Sequence, residues 1–137
     1  MSKTMGNAIN LGACEKELRA AVRGMYTDQN HLRVEDPGQV EGNIVFTYLD
    51  TFHPDTEYVS QLKEHYQRGG LGDGVTKKIL EECLQELLKP IRERREQYLN
   101  DKSQLIDILR TGSEISRHKT NITLHSVKDI FGLNPFF

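Results

Sequence analysis

The sequence predicts an all-α protein, a bundle of antiparallel helices behind an extended N-terminal strip. Three observations carry that expectation. Apolar residues recur at helical spacing along most of the chain. Turn signals built on glycine, proline and asparagine separate those stretches, and no pair of alternating runs reads as a strand pair. The 137 residues are about one domain's length, enough to bury a core without disulfides.

Each helix has its own signature. Cys14, Leu18, Val22 and Met25 form one stripe, so a first helix should start near Ala13 and end before Thr27-Asp28. His31 to Val34 is a candidate short extended piece, followed by the turn signal Asp36-Pro37-Gly38. Asn43 is a good N-cap for a helix over Ile44–Phe52. After His53-Pro54, Asp55 or Thr56 should open a third helix running to about Gln67, stopped by Gly69-Gly70. Asp73 can cap the next. Ile79, Leu80, Cys83, Leu84, Leu87, Leu88 and Ile91 then give a wide stripe that continues toward Leu99. That is one helix about 37 Å long, with Pro90 expected to kink it or divide it in two. Asn100-Asp101 breaks the chain. A short helix over Ser103–Arg110 follows, with Thr111-Gly112 as its end or a bend. A last helix over Ser113–Phe131 should bury Ser116, Thr120, Leu124, Val127 and Phe131 and stop at Gly132.

Composition narrows the function. Eighteen basic against twenty acidic residues give −2, which excludes a histone-like protein and an acidic disordered tail. No apolar run approaches the ~18–20 residues of a membrane span, and the N-terminus lacks a secretory signal, so a cytoplasmic protein is expected. Cys14 and Cys83 are too few and too far apart for a zinc site or disulfide scaffold, and are expected as reduced, buried thiols. The histidines show no metal-ligand spacing with cysteines, and no metal site is expected. Charge is polarised. Asp28 to Glu57 carries seven acids against Arg33, net −6; Arg110 to Lys128 carries four bases against Glu114, net +3. The basic end suits an anionic partner, against the plainer alternative of a solvated helix face.

Two further segments bear on chemistry. The glycine-dense run Gly69-Gly70-Leu71-Gly72-Asp73-Gly74 follows a helix and lacks a terminal Gly-Lys-Ser/Thr, so it reads as a tight interhelical turn rather than a phosphate loop. At the start, Lys3 stands between Ser2 and Thr4 in a glycine-containing strip. An ammonium flanked by hydroxyls suits a phosphate chain, and the alternative is a disordered first segment.

Met1-Ser2-Lys3-Thr4, followed by Met5-Gly6-Asn7, resembles the KMSKS loop of class I aminoacyl-tRNA synthetases, with Thr4 in the final Ser position. The motif's first lysine would precede Met1. Later segments resemble the tryptophanyl-tRNA synthetases in order along nearly the whole chain: Met25-Tyr26-Thr27-Asp28, Asp36-Pro37-Gly38 through Asn43, Arg68 through Asp73, Leu88-Lys89-Pro90-Ile91-Arg92-Glu93-Arg94-Arg95, and Gly112-Ser113-Glu114.

The resemblance implies a C-terminal portion of such an enzyme. Residues 1–12 would be the KMSKS-like strip of the catalytic domain and 13–137 the helical anticodon-binding domain. The family reaction joins tryptophan to its tRNA through an adenylate, using ATP with Mg2+ as substrate. No cofactor is expected on this chain itself. By resemblance, Ser2, Lys3 and Thr4 bind ATP and pyrophosphate, and Lys3 is the catalytic group stabilising the leaving pyrophosphate. The Rossmann half that positions them carries a signature absent here, so no pyrophosphate exchange is expected from this chain alone. Implied partners are tryptophan tRNA and the N-terminal catalytic half, with a homodimer in the full-length enzyme. For tRNA contact, Arg117, Asn121, His125 and Lys128 fall on one polar face and are the first candidates. Arg92, Arg94 and Arg95 are the second, with ion pairing to Glu93 and Glu96 as the alternative. A stand-alone helical RNA-binding or protein-interaction module without catalysis is the competing reading.

Overall fold

A computed structural model describes residues 8–133, which form five α-helices. They are α1 (Glu15–Arg23), α2 (Ile44–Phe52), α3 (Thr56–Arg68), α4 (Asp73–Asn100) and α5 (Lys102–Ile130). No strand occurs among the described residues, and within His31 to Val34 the chain bends at Arg33 and turns from Val34. No described helix is long and apolar enough to cross a membrane. The chain divides into two compact units, Met1–Glu93 and Arg94–Phe137, with the boundary inside α4.

The first unit holds the core. Leu18 and Val22 of α1, Val45, Phe46 and Leu49 of α2, Val59, Leu62 and Tyr66 of α3, and Leu80, Leu84 and Leu88 of α4 pack into one buried cluster. Caps set the helix starts. Asn43 accepts from the Val45 N–H at 3.0 Å, and Asp55 from the Tyr58 N–H at 2.8 Å. Lys77 donates to the Arg23 and Met25 carbonyls, fastening the C-terminal end of α1 to α4.

Tyr66 is the hub. Its ring is fully buried and meets His31 and Phe46 edge-on, with centroids 4.7 and 5.1 Å away. Its hydroxyl donates to Asp73 Oδ1 at 2.7 Å. Its carbonyl accepts from the Gly38 N–H at 2.9 Å. Gly38 lies so close that a Cβ there would overlap the Tyr66 ring. Gly69, at φ +89°, ends α3, and a Cβ there would strike the Glu35 carbonyl. The Gly70 N–H donates to the Val34 carbonyl at 2.6 Å. The glycine run is thus an interhelical turn whose Gly70 N–H holds the 33–38 loop.

Three further expectations are corrected. The segments over Ser103–Arg110 and Ser113–Phe131 are one helix, α5, of 29 residues. A single interior glycine costs only about 1 kcal/mol, too little to end a helix with good caps. Asp101 caps its start, accepting from the Gln104 N–H at 3.0 Å. Gly132, at φ +63°, closes its end, with Leu133 N–H to Lys128 O and Gly132 N–H to Asp129 O at 2.8 and 3.2 Å. The stripe expected to be buried is not. Ser116 and Thr120 are exposed, as are Leu124, Val127 and Phe131 at 44%, 43% and 71%. An amphipathic stripe states that a face is suited to burial, and among the described residues this one stays uncovered. The thiols differ too: Cys14 is exposed at the start of α1, and Cys83 is half-buried with its Sγ–H on the Phe52 carbonyl at 3.4 Å. By contrast, α4 runs past Pro90 as one helix of 28 residues.

Candidate nucleic-acid interface

The continuity of α5 decides the geometry of the basic end. Arg117, Asn121, His125 and Lys128 lie four, four and three residues apart on one uninterrupted helix. At 1.5 Å per residue they span about 16 Å along a single face. Arg117, Asn121 and His125 are exposed and Lys128 is half-buried. Lys128 also sits in the last turn, where the helix dipole favours a cation.

The neighbouring hydroxyls are turned away from this role. Thr120, Thr123 and Ser126 donate to the Ser116, Lys119 and Ile122 carbonyls at 2.8, 3.2 and 3.1 Å. Each is held against its own helix, so the outward donors on this stretch are the cationic and amide side chains. The same face begins about two turns before Arg117. Arg110 is seven residues before Arg117 and lies 3.3 Å from Asp107, both side chains about 70% exposed. An exposed pair of this kind is worth at most about 1 kcal/mol, so Arg110 is easily released to an anion. Its signal was in the spacing, hidden by the supposed break at Gly112.

The arginines of α4 separate into two kinds. Arg92 is half-buried and engaged at both Nη atoms: Nη2 donates to the Gln85 carbonyl and Oε1 at 3.1 and 2.7 Å, and Nη1 donates to the Ala13 carbonyl at 3.4 Å. It ties α4 to the residues before α1. Arg94 and Arg95 are exposed and belong to the unit that contains α5. Ser2, Lys3 and Thr4 lie outside the described residues.

No protein-family model matches the chain. Curated relatives do. The chain is 50% identical over 136 residues to the tryptophan–tRNA ligase of Clostridium longisporum, covering 99% of this chain and 40% of that protein. It is 49% identical over 138 residues to the tryptophan–tRNA ligase of Streptococcus mutans, covering 99% of this chain and 41% of that one. Among solved structures, the tryptophanyl-tRNA synthetase of Campylobacter jejuni superposes with a TM-score of 0.81 at 28% identity, over 96% of this chain and 42% of that one. A second structure of it, complexed with ADP and tryptophan, gives the same TM-score. The chain therefore spans about two fifths of the length of the relatives it matches, and its helical fold is similar to that part of the Campylobacter jejuni structure.

Proposed function

We propose that this chain, a relative of the tryptophan–tRNA ligases along 99% of its length, is the C-terminal, anticodon-binding part of such a ligase. The observation that carries the reading is 50% identity sustained over 136 residues, which leaves almost no part of the chain unmatched. The contact surface follows from α5. Arg117 and Lys128 supply charge to phosphates, while Asn121 and His125 offer hydrogen-bonding groups to unstacked bases. Arg94 and Arg95 add guanidinium planes on which a base can stack; Arg92, engaged between Gln85 and Ala13, positions α4 instead.

Residues 13–137 form the RNA-binding domain in this reading, and 1–12 belong with the catalytic part. There Lys3, between Ser2 and Thr4, binds ATP and steadies the negative charge that grows on the departing pyrophosphate. ATP with Mg2+ is a substrate of that part, which also carries the homodimer contact. The setting is the cytoplasm, where tRNA is charged.

Titration of the 137-residue chain with tryptophan tRNA tests the proposal. Binding should weaken with salt and weaken further when the anticodon is replaced. Equal affinity for both tRNAs, or none for either, would overturn anticodon reading.

A further inference from the structure

A surface groove of about 490 Å³ lies between the α2–α3 corner and α4, away from the basic face of α5 in sequence and opposite to it in charge. Its walls are apolar and half-open: Phe52 is 42% exposed, Tyr58 39% and Leu87 43%, with Ile79 beside them. Among the described residues, the charged groups lining it are Glu82 and Glu86, with no lysine or arginine. Local bonds hold the corner that carries the aromatics. His53 Nδ1 accepts from the Asp55 N–H at 3.1 Å, and the His53 ring lies 5.4 Å from that of Tyr58. Asp55 caps α3 through the Tyr58 N–H, and Cys83 Sγ–H reaches the Phe52 carbonyl, tying the two walls.

We propose that this groove docks a segment of a partner protein that carries an apolar side chain between lysines or arginines. Preorganised aromatic walls hold an apolar anchor at little entropic cost, and the two carboxylates select for flanking positive charge. The same carboxylates repel a phosphate backbone, which sets the groove apart from the proposed RNA face. Glu82 is available: its Lys78 neighbour is 3.9 Å away, with both side chains about 70% exposed.

The test uses the full chain and a short synthetic peptide built on Lys-Leu-Phe-Lys, with a glutamate-for-lysine counterpart. NMR shifts induced by the lysine peptide should map to Phe52, Tyr58 and Leu87. The glutamate peptide should bind about tenfold more weakly, and Glu82→Gln with Glu86→Gln should weaken the lysine peptide by a similar factor. Tyr58→Ala should weaken it with the helical circular dichroism intact. Equal binding of both peptides, shifts that map elsewhere, or displacement of the peptide by a single-stranded RNA oligonucleotide would overturn the proposal.

Discussion

The Tyr66 hydroxyl donates to Asp73 Oδ1 at 2.7 Å, joining the last turn of α3 to the first residue of α4 across a glycine turn. Tyr66→Phe keeps the ring and removes that bond, leaving Asp73 without its phenolic donor. A loss of about 1.5–3 kcal/mol is expected, the range for a hydrogen bond to a charged group, read as a lower denaturation midpoint at unchanged slope.

The same contact sets an alkaline limit. Burial, then the Asp73 carboxylate, pushes the Tyr66 phenol well above its ordinary range. A raised folded value means the contribution is intact below about pH 10 and lost as pH climbs beyond it. Urea midpoints between pH 8 and 11 should fall more steeply for the natural chain than for Tyr66→Phe; parallel curves would refute the assignment.

Asp28 has the opposite sign. The Asn30 and Gln39 N–H groups, both at 2.9 Å, hold its carboxyl below the usual value. Its contribution is present above about pH 4 and lost as pH falls through the depressed value. Asp28→Ala should lower stability at neutral pH and flatten the acid limb of the stability profile.

Gly38→Ala places a methyl group inside the Tyr66 ring. Overpacking of a well-filled site costs about 1–3 kcal/mol, so the melting temperature should fall. Gly112→Ala has the reverse outcome. A Cβ there meets open space on α5, and the gain in helix propensity, about 0.5–1 kcal/mol, should raise the thermal midpoint of its helical signal.

Removing cations from α5 separates charge from structure. Arg117→Gln and Lys128→Gln should each reduce the salt dependence of tRNA binding, by about one unit of slope for each phosphate that is no longer neutralised. The helical signal should hold for the exposed Arg117→Gln and fall only slightly for Lys128→Gln, which removes the cation from the last turn.

Local signals were legible where local physics decides. The Asn43 cap placed α2, the Asp55 or Thr56 start placed α3, and the Gly69 and Gly132 stops fell where a left-handed residue was required. What escaped depended on contacts distant in sequence. Nothing near His31 announces that its ring will be buried against Tyr66, because that packing comes from a chain reversal 35 residues later. The stripe on α5 was correctly periodic, yet periodicity describes one partner of a contact and is silent on whether the other is present. Arg92 and Arg95 look alike in a sequence. Only the distances from Arg92 to Gln85 and Ala13 distinguish a clamp from a solvent-facing cation.

α5 also bears on how the chain comes apart. A 29-residue helix with no buried side chain draws its order from caps and intrinsic propensity, whereas the first unit is held by a core of twelve buried residues. Those two sources of order respond differently to heat. Calorimetry should record a sharp endotherm from the core, and circular dichroism a broad, shallow loss of helix from α5 at lower temperature. One melting temperature would then describe only part of the molecule, and a ligand gripping α5 would be recognised by drawing the early loss toward the later one.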